Sequence, residues 1–195
     1  AILARGTGDN PHMIPPEHHA ATHPYTALTP GVVQDALGHI GLWGDGRLSA
    51  LNSFENRVYQ IHLESPFEGH EQVVAKFYRP GRWTDAQIAE EHGFAAELVD
   101  AEVPAVPPLS VNGQTLHHFG GFAFSVSPRR GGRRPELDDF DVLEWIGRFL
   151  ARIHSVGAVR PFVRRPALDL ASFGQEPRDW LLEHRMIAPA VQTAW

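Results

Sequence analysis

Between Arg47 and Ser127 lie five short segments of strand character, and a single helical pattern interrupts them after the third. The segments read "RLSALNS", "RVYQIHL", "VVAKFY", "QTLHHF" and "GFAFSVS". In the second, Val58, Gln60 and His62 face one way and Tyr59, Ile61 and Leu63 the other, the period of a strand. Turn signals bound the set: Pro80-Gly81 after the third, Asn112-Gly113 before the fourth, Gly120-Gly121 between the last two. From Phe140 onward only helical patterns follow. That order predicts an α+β chain, a mostly antiparallel five-stranded sheet with one packed helix joined to a helical lobe. The expected units are a tail over 1–24, a sheet lobe over 25–128 and the first part of a helical lobe over 129–195.

At 195 residues the chain is long enough for one core or two small lobes. A net charge of −6 argues against a general nucleic-acid binder. Cysteine is absent, which excludes disulfides and thiolate metal sites and fits a reducing cytoplasm. No apolar run approaches the roughly 20 residues of a spanning helix. Residues 1–24 are rich in Pro, His and Gly without a period, and read as a disordered tail. His12, His18, His19 and His23 fall in that tail. Without accompanying carboxylate or Cys spacing they read as solvated rather than as a metal tract. Met13 is the expected native start, with Ala1–His12 upstream of it. The chain stops at "APAVQTAW" inside helix-rich sequence, as a fragment would.

The helical patterns carry their own punctuation. "TPGVVQDALGHIGL" places Val32, Val33, Ala36, Leu37 and Ile40 at amphipathic spacing, with Pro30 in the first turn. Thr84 and Gln87 form a capping-box pair that starts a helix running to about Ala101. Phe140, Leu143, Ile146, Phe149, Leu150 and Ile153 stripe a third helix, with Gly157 as its expected C-terminal cap.

Lys76 is the one lysine among 17 basic residues. It sits on the third strand and shares a face with Val74. Desolvating an ammonium group is costly unless an anion compensates. The next helix offers that anion. Ile88, Ala95, Leu98 and Val99 form an apolar arc with Phe94 at its edge, and Glu91 falls inside it, whereas Glu90 and Glu97 lie on the polar face. A snorkelling Lys76 and a helix-boundary Glu91 account for the pattern equally well. A compact point charge does, however, suit phosphate oxygens in a way the planar guanidinium does not duplicate. The loop "NSFEN" has no glycine; Asn52, Ser53 and Asn56 would supply the hydrogen bonds if it covers an anion, and an ordinary hairpin turn remains open. Phe124, Ser125, Val126 and Ser127 form an extended exit from the sheet. A flat base would pair with their backbone, with Ser127 as donor because Pro128 has no N–H.

"LNSFENRVYQI", "VVAKFYRPGRW", "QIAEEHGFAAELV", "EVPAVPPL", "NGQTL" and "GGR", in that order, resemble the bacterial stress-response kinase A family. Its members are Ser/Thr protein kinases on the aminoglycoside phosphotransferase and choline kinase fold. The resemblance covers roughly Leu28 to the end. It implies a kinase-like N-lobe and the start of a C-lobe, ATP as ligand, Mg²⁺ as its companion ion and a protein substrate in the cytoplasm. Nucleic acid and membrane are not implied as partners. It further implies that Lys76 holds the α- and β-phosphates and that Glu91 orients Lys76. The loop of Asn52, Ser53, Phe54, Glu55 and Asn56 would cover the phosphates, Val74 would pack on adenine, and the Ser125–Ser127 backbone would be the hinge. The chain departs from the protein-kinase pattern in reading "VVAK" and in its glycine-free loop. A larger departure is that no H-G-D-x-x-x-x-N loop or later Asp motif is present, so the catalytic base and the metal ligands are not in this chain. His154 reads as a helix-terminal histidine, and Asp169 and Asp179 are too isolated to nominate. A small-molecule kinase of the same fold, or a non-catalytic module clamping anions with Arg129, Arg130, Arg133 and Arg134, remain alternatives.

Overall fold

The computed structural model describes residues 23–132 and 134–194. The tail histidines His12, His18 and His19, the expected start at Met13, and Arg133 lie outside the described residues. Helix α1 (Pro30–His39) begins where Thr29 accepts the Val32 N–H and Pro30 supplies a pre-set φ. Strands β1 (Gly44–Leu51), β2 (Arg57–Phe67) and β3 (His70–Phe77) follow, then α2 (Asp85–Asp100), β4 (His117–Phe119) and β5 (Phe122–Pro128). The five strands form one antiparallel sheet in the order β1-β2-β3-β5-β4. The chain ends in α3 (Phe140–Gly157), a π-helical turn over Ala171–Gln175 that runs into α4 (Glu176–Glu183), and a short 3₁₀ turn.

The sheet is more extended than its sequence pattern. "ESPFEGHEQ" contains the end of β2 and the start of β3, and its turn contracts to Glu68 and Gly69, with φ of 50° and 80°. Two successive positive-φ residues make the hairpin turn whose twist matches the flanking strands. Asn112-Gly113 and Gly120-Gly121 repeat that pair of positive angles.

Alternation then assigns the two faces. Ile61, Leu63, Val73, Ala75, Phe77, Phe124 and Val126 point to one side and bury against Val33, Ala36, Leu37 and Ile40 of α1. The main core is therefore on the α1 side. Helix α2 lies on the opposite face and buries only Ile88, His92 and Leu98. Val99, expected on its apolar arc, is exposed. The stripe on α3 forms, but none of its residues is buried among the described ones, and Phe140 is 85% exposed. Helix α3 runs through Gly157, one residue past the expected end, and is closed by the Ala158 N–H on the His154 carbonyl.

Candidate nucleotide site

The capping box fixes where α2 starts. Thr84 Oγ1 accepts the Gln87 N–H at 3.3 Å, and Gln87 Oε1 accepts the Thr84 N–H at 2.9 Å. Seven residues on, just under two turns, Glu91 meets β3. Lys76 Nζ donates to Glu91 Oε1 at 2.9 Å, and each side chain is about one-third exposed. The β2–β3 and β3–β5 registers place Val58 and Ser125 beside Lys76, and Gln60 and Ser127 beside Val74, all on this one face. The structure thus brings together Lys76, Glu91, Val74 and the Ser125 and Ser127 side chains on the face opposite the core.

A polar chain that no sequence spacing marks lies beneath Lys76. The ammonium sits 4.6 Å from the centre of the buried Tyr78 ring. The Tyr78 hydroxyl lies 2.8 Å from His92 Nε2 and 3.2 Å from Ser125 Oγ, and His92 Nδ1 lies 2.9 Å from Thr115 Oγ1. A neutral imidazole completes this chain: it accepts from Tyr78 at Nε2 and donates to Thr115 from Nδ1. Burial lowers the pKa of His92, and burial likewise lowers that of His117. Both groups are depressed in the folded state, so the unfolded chain binds more protons once pH drops below about 6.5, and stability falls with pH in that window. The melting temperature is accordingly expected to decline between pH 7 and 5.5. A His92→Asn, His117→Asn double variant should show a flatter decline, and an unchanged slope would reject the assignment. Burial raises the pKa of Glu90, but the N–H groups of residues 163–165 nevertheless hold it below the usual range.

The 52–56 loop is tied down by its own side chains. Ser53 Oγ donates to the Asn56 carbonyl at 2.6 Å, and Asn56 Oδ1 accepts the Arg79 N–H at 3.3 Å. Glu55 accepts from Trp83 Nε1 at 2.9 Å and from Arg82 Nε at 3.1 Å. From below, the Tyr25 hydroxyl donates to the Glu55 carbonyl at 3.1 Å and lies 3.3 Å from the Phe77 carbonyl. Asn52 is exposed and Phe54 at the tip is fully so. Side-chain bonds to the 79–83 turn thus shape a loop without glycine.

The hinge expectation needs one correction. Tyr78 N–H bonds the Ala123 carbonyl and Arg129 N–H bonds the Gln72 carbonyl. Antiparallel pairs alternate between hydrogen-bonded and non-bonded. In this register the Ser125 and Ser127 backbones are therefore turned toward Lys76 and Val74 of β3. Ser127 N–H belongs to the sheet and is not a free donor to a base. The outward positions are Val126, whose carbonyl takes the Leu109 N–H at 2.7 Å, and Pro128. Pro128 offers a carbonyl only, and the next N–H of the same parity is that of Arg130.

Chain order also hid a strap. Residues 160–165, after α3, lie along α2. The Glu90 carboxylate accepts the N–H groups of Val163, Arg164 and Arg165 at 2.6, 2.9 and 2.7 Å. Gln87 Nε2 donates to the Arg164 carbonyl at 3.0 Å, Arg160 pairs with Glu97, and Phe162 packs edge-on to Phe94. The polar face expected for Glu90 and Glu97 is thus this contact. Arg165 completes it: its Nη2 donates to Glu91 Oε2 at 2.6 Å, and its guanidinium lies 4.3 Å from the Trp83 ring centre. "RPFVRRP" carries charge but no spacing that would identify its partner.

The remaining candidates lie apart. Arg129 Nε donates to Gln60 Oε1 at 2.8 Å, and Arg130 and Arg134 are exposed. His154 is exposed at the end of α3, and His23 Nδ1 accepts the Tyr25 N–H at 3.3 Å. Among the described residues no three His, Asp or Glu side chains converge on a metal position, and no helix is long and apolar enough to cross a membrane.

Comparison with known proteins shows which family the chain resembles. A family model described as the phosphotransferase enzyme family matches residues 47–193. The chain is 44% identical over 170 residues to the serine/threonine protein kinase RdoA of Salmonella typhimurium, covering 87% of this chain and 50% of that protein. It is 42% identical over 171 residues to stress response kinase A of Escherichia coli K12, covering 88% of this chain and 51% of that one. The chain thus spans about half the length of these curated relatives. Among solved structures, an amicoumacin kinase, hAmiN, in complex with AMP-PNP, Ca²⁺ and Ami superposes with a TM-score of 0.57 at 17% identity, covering 70% of this chain and 42% of that one. That likeness shows a shared fold.

Proposed function

The chain belongs to the phosphotransferase enzyme family, and we propose that it carries the nucleotide-binding part of an ATP-dependent kinase acting on Ser or Thr hydroxyls. The observation that carries this is the Lys76–Glu91 contact on the sheet face opposite the core. A lysine paired this way presents a fixed point charge to phosphate oxygens, and the carboxylate limits where that charge can go. Val74 would pack on the base. The 52–56 loop would cover the phosphates. The Pro128 carbonyl and Arg130 N–H would meet the edge of adenine in place of Ser127. Mg²⁺ would arrive with the triphosphate. A protein acceptor is favoured by the names of the closely similar kinases, and this function belongs in the cytoplasm, where ATP is held. A small-molecule acceptor is the second reading, favoured by the amicoumacin kinase fold neighbour. The exposed stripe of α3 is the surface on which the rest of a helical lobe would pack.

Two measurements on the 195-residue chain test the proposal. Calorimetric titration should show MgATP binding. Radiolabelled ATP should show no turnover above a Lys76→Ala control, because no H-G-D-x-x-x-x-N pattern supplies a base. Absence of MgATP binding would reject the nucleotide role, and turnover above the control would reject the division between binding and chemistry. In a longer protein that contains the missing pattern, phosphorylation of a generic protein substrate against a panel of small alcohols would separate the two acceptor classes.

A further inference from the structure

We propose that Arg165 is a positioning residue for Lys76, and that the strap of residues 163–165 sets the affinity for phosphate through Glu91. This rests on the nucleotide role proposed above. Glu91 is shared between two cations, Lys76 Nζ on Oε1 at 2.9 Å and Arg165 Nη2 on Oε2 at 2.6 Å. With one oxygen engaged by each, the carboxylate is held from both sides, and Lys76 is held with it. The balance of charge matters as well. Lys76 and Glu91 alone sum to zero, whereas Arg165 leaves a net positive charge beside the position assigned to a polyanion. Removal of Arg165 both loosens Glu91 and lets it neutralise Lys76 in full, so the two effects act in the same direction.

An isolated exposed ion pair is worth little, but Arg165 is anchored at several points. Its guanidinium lies on Trp83, and its side chain is only one-quarter exposed. Its backbone N–H is held by Glu90, the residue next to Glu91. Trp83 in turn donates to Glu55 in the loop assigned to the phosphates. The loop, Trp83, Arg165, Glu91 and Lys76 are therefore one connected set, fastened to α2 by the three-amide grip of Glu90.

A merely structural tie would lower thermal stability and weaken every ligand alike. A positioning role acts on the phosphates and spares the nucleoside. Affinities for MgATP and for adenosine should be measured by titration calorimetry on the wild-type chain and on Arg165→Met, Arg165→Lys, Glu90→Gln and Lys76→Met variants. Arg165→Met should weaken MgATP about tenfold, the scale of one lost charge-assisted hydrogen bond, and adenosine by less than about twofold. Arg165→Lys, which keeps the charge, should recover part of the loss. Glu90→Gln, which releases the strap without touching Glu91, should lower the same ratio even if Arg165→Met fails to fold. Equal losses for both ligands, or no loss in variants that melt cooperatively, would overturn the proposal. If Lys76→Met alone lowers the ratio, the nucleotide role stands and the positioning role falls. If the wild-type chain binds neither ligand, both fall.

Discussion

Lys76→Met is expected to weaken MgATP binding about 100-fold, or about 2.7 kcal/mol, the scale for truncating one partner of a hydrogen-bonded charge pair. Methionine keeps the length of the stem and removes the charge. The fold should survive, because Glu91 keeps Arg165 on its other oxygen and is one-third open to solvent. Adenosine affinity should move little, since the amine is assigned to the phosphates. Titration calorimetry with both ligands checks this, and cooperative melting verifies that the variant is folded. A loss of less than about threefold for MgATP would mean that the ammonium does not face phosphate.

The neighbouring residue has the opposite consequence. Phe77→Ala should cost about 3–5 kcal/mol of stability. Phe77 is fully buried on the α1 side, stacked on Phe124 at 5.1 Å between ring centres and edge-on to Tyr59 and Phe122 at 6.1 and 6.4 Å. Its truncation leaves a void among the rings of Phe124, Tyr59 and Phe122. Domains are stable by only about 5–15 kcal/mol, so a large share is lost. At this size the melting temperature should fall by about 6–20 °C. Chemical denaturation provides the measurement. A cost below about 1 kcal/mol would contradict a core centred on Phe77. Adjacent residues on one strand thus separate binding from stability, as alternation requires.

That alternation is also why much of the site was legible. A lysine in an apolar strand and a glutamate in an apolar arc, joined by a capping box, are local signals, and Lys76 and Glu91 meet at 2.9 Å. Turns were legible where glycine permits positive φ, as at Asn112-Gly113 and Gly120-Gly121. Relations between distant segments were not. The role of Ser127 N–H depends on which pairs in the β3–β5 ladder are hydrogen-bonded, and that parity is set by register rather than by residue type. Arg165 reaches Glu91 across 74 positions of chain, and nothing in "RPFVRRP" distinguishes it from the exposed Arg164. The role of His92 is not visible in the sequence because its partners Tyr78, Thr115 and, through Tyr78, Ser125 come from three other segments. Helix α1 showed its apolar stripe, but periodicity alone does not say which face of a sheet will receive it.

The solitary lysine, one-third open beside Glu91, has a chemical consequence. An acylating reagent or a lysine-modifying enzyme finds a single ε-amine in this chain, and that amine is the group assigned to the nucleotide. Any such adduct would cancel the charge proposed to meet phosphate, so amine acylation within these 195 residues has one side-chain address.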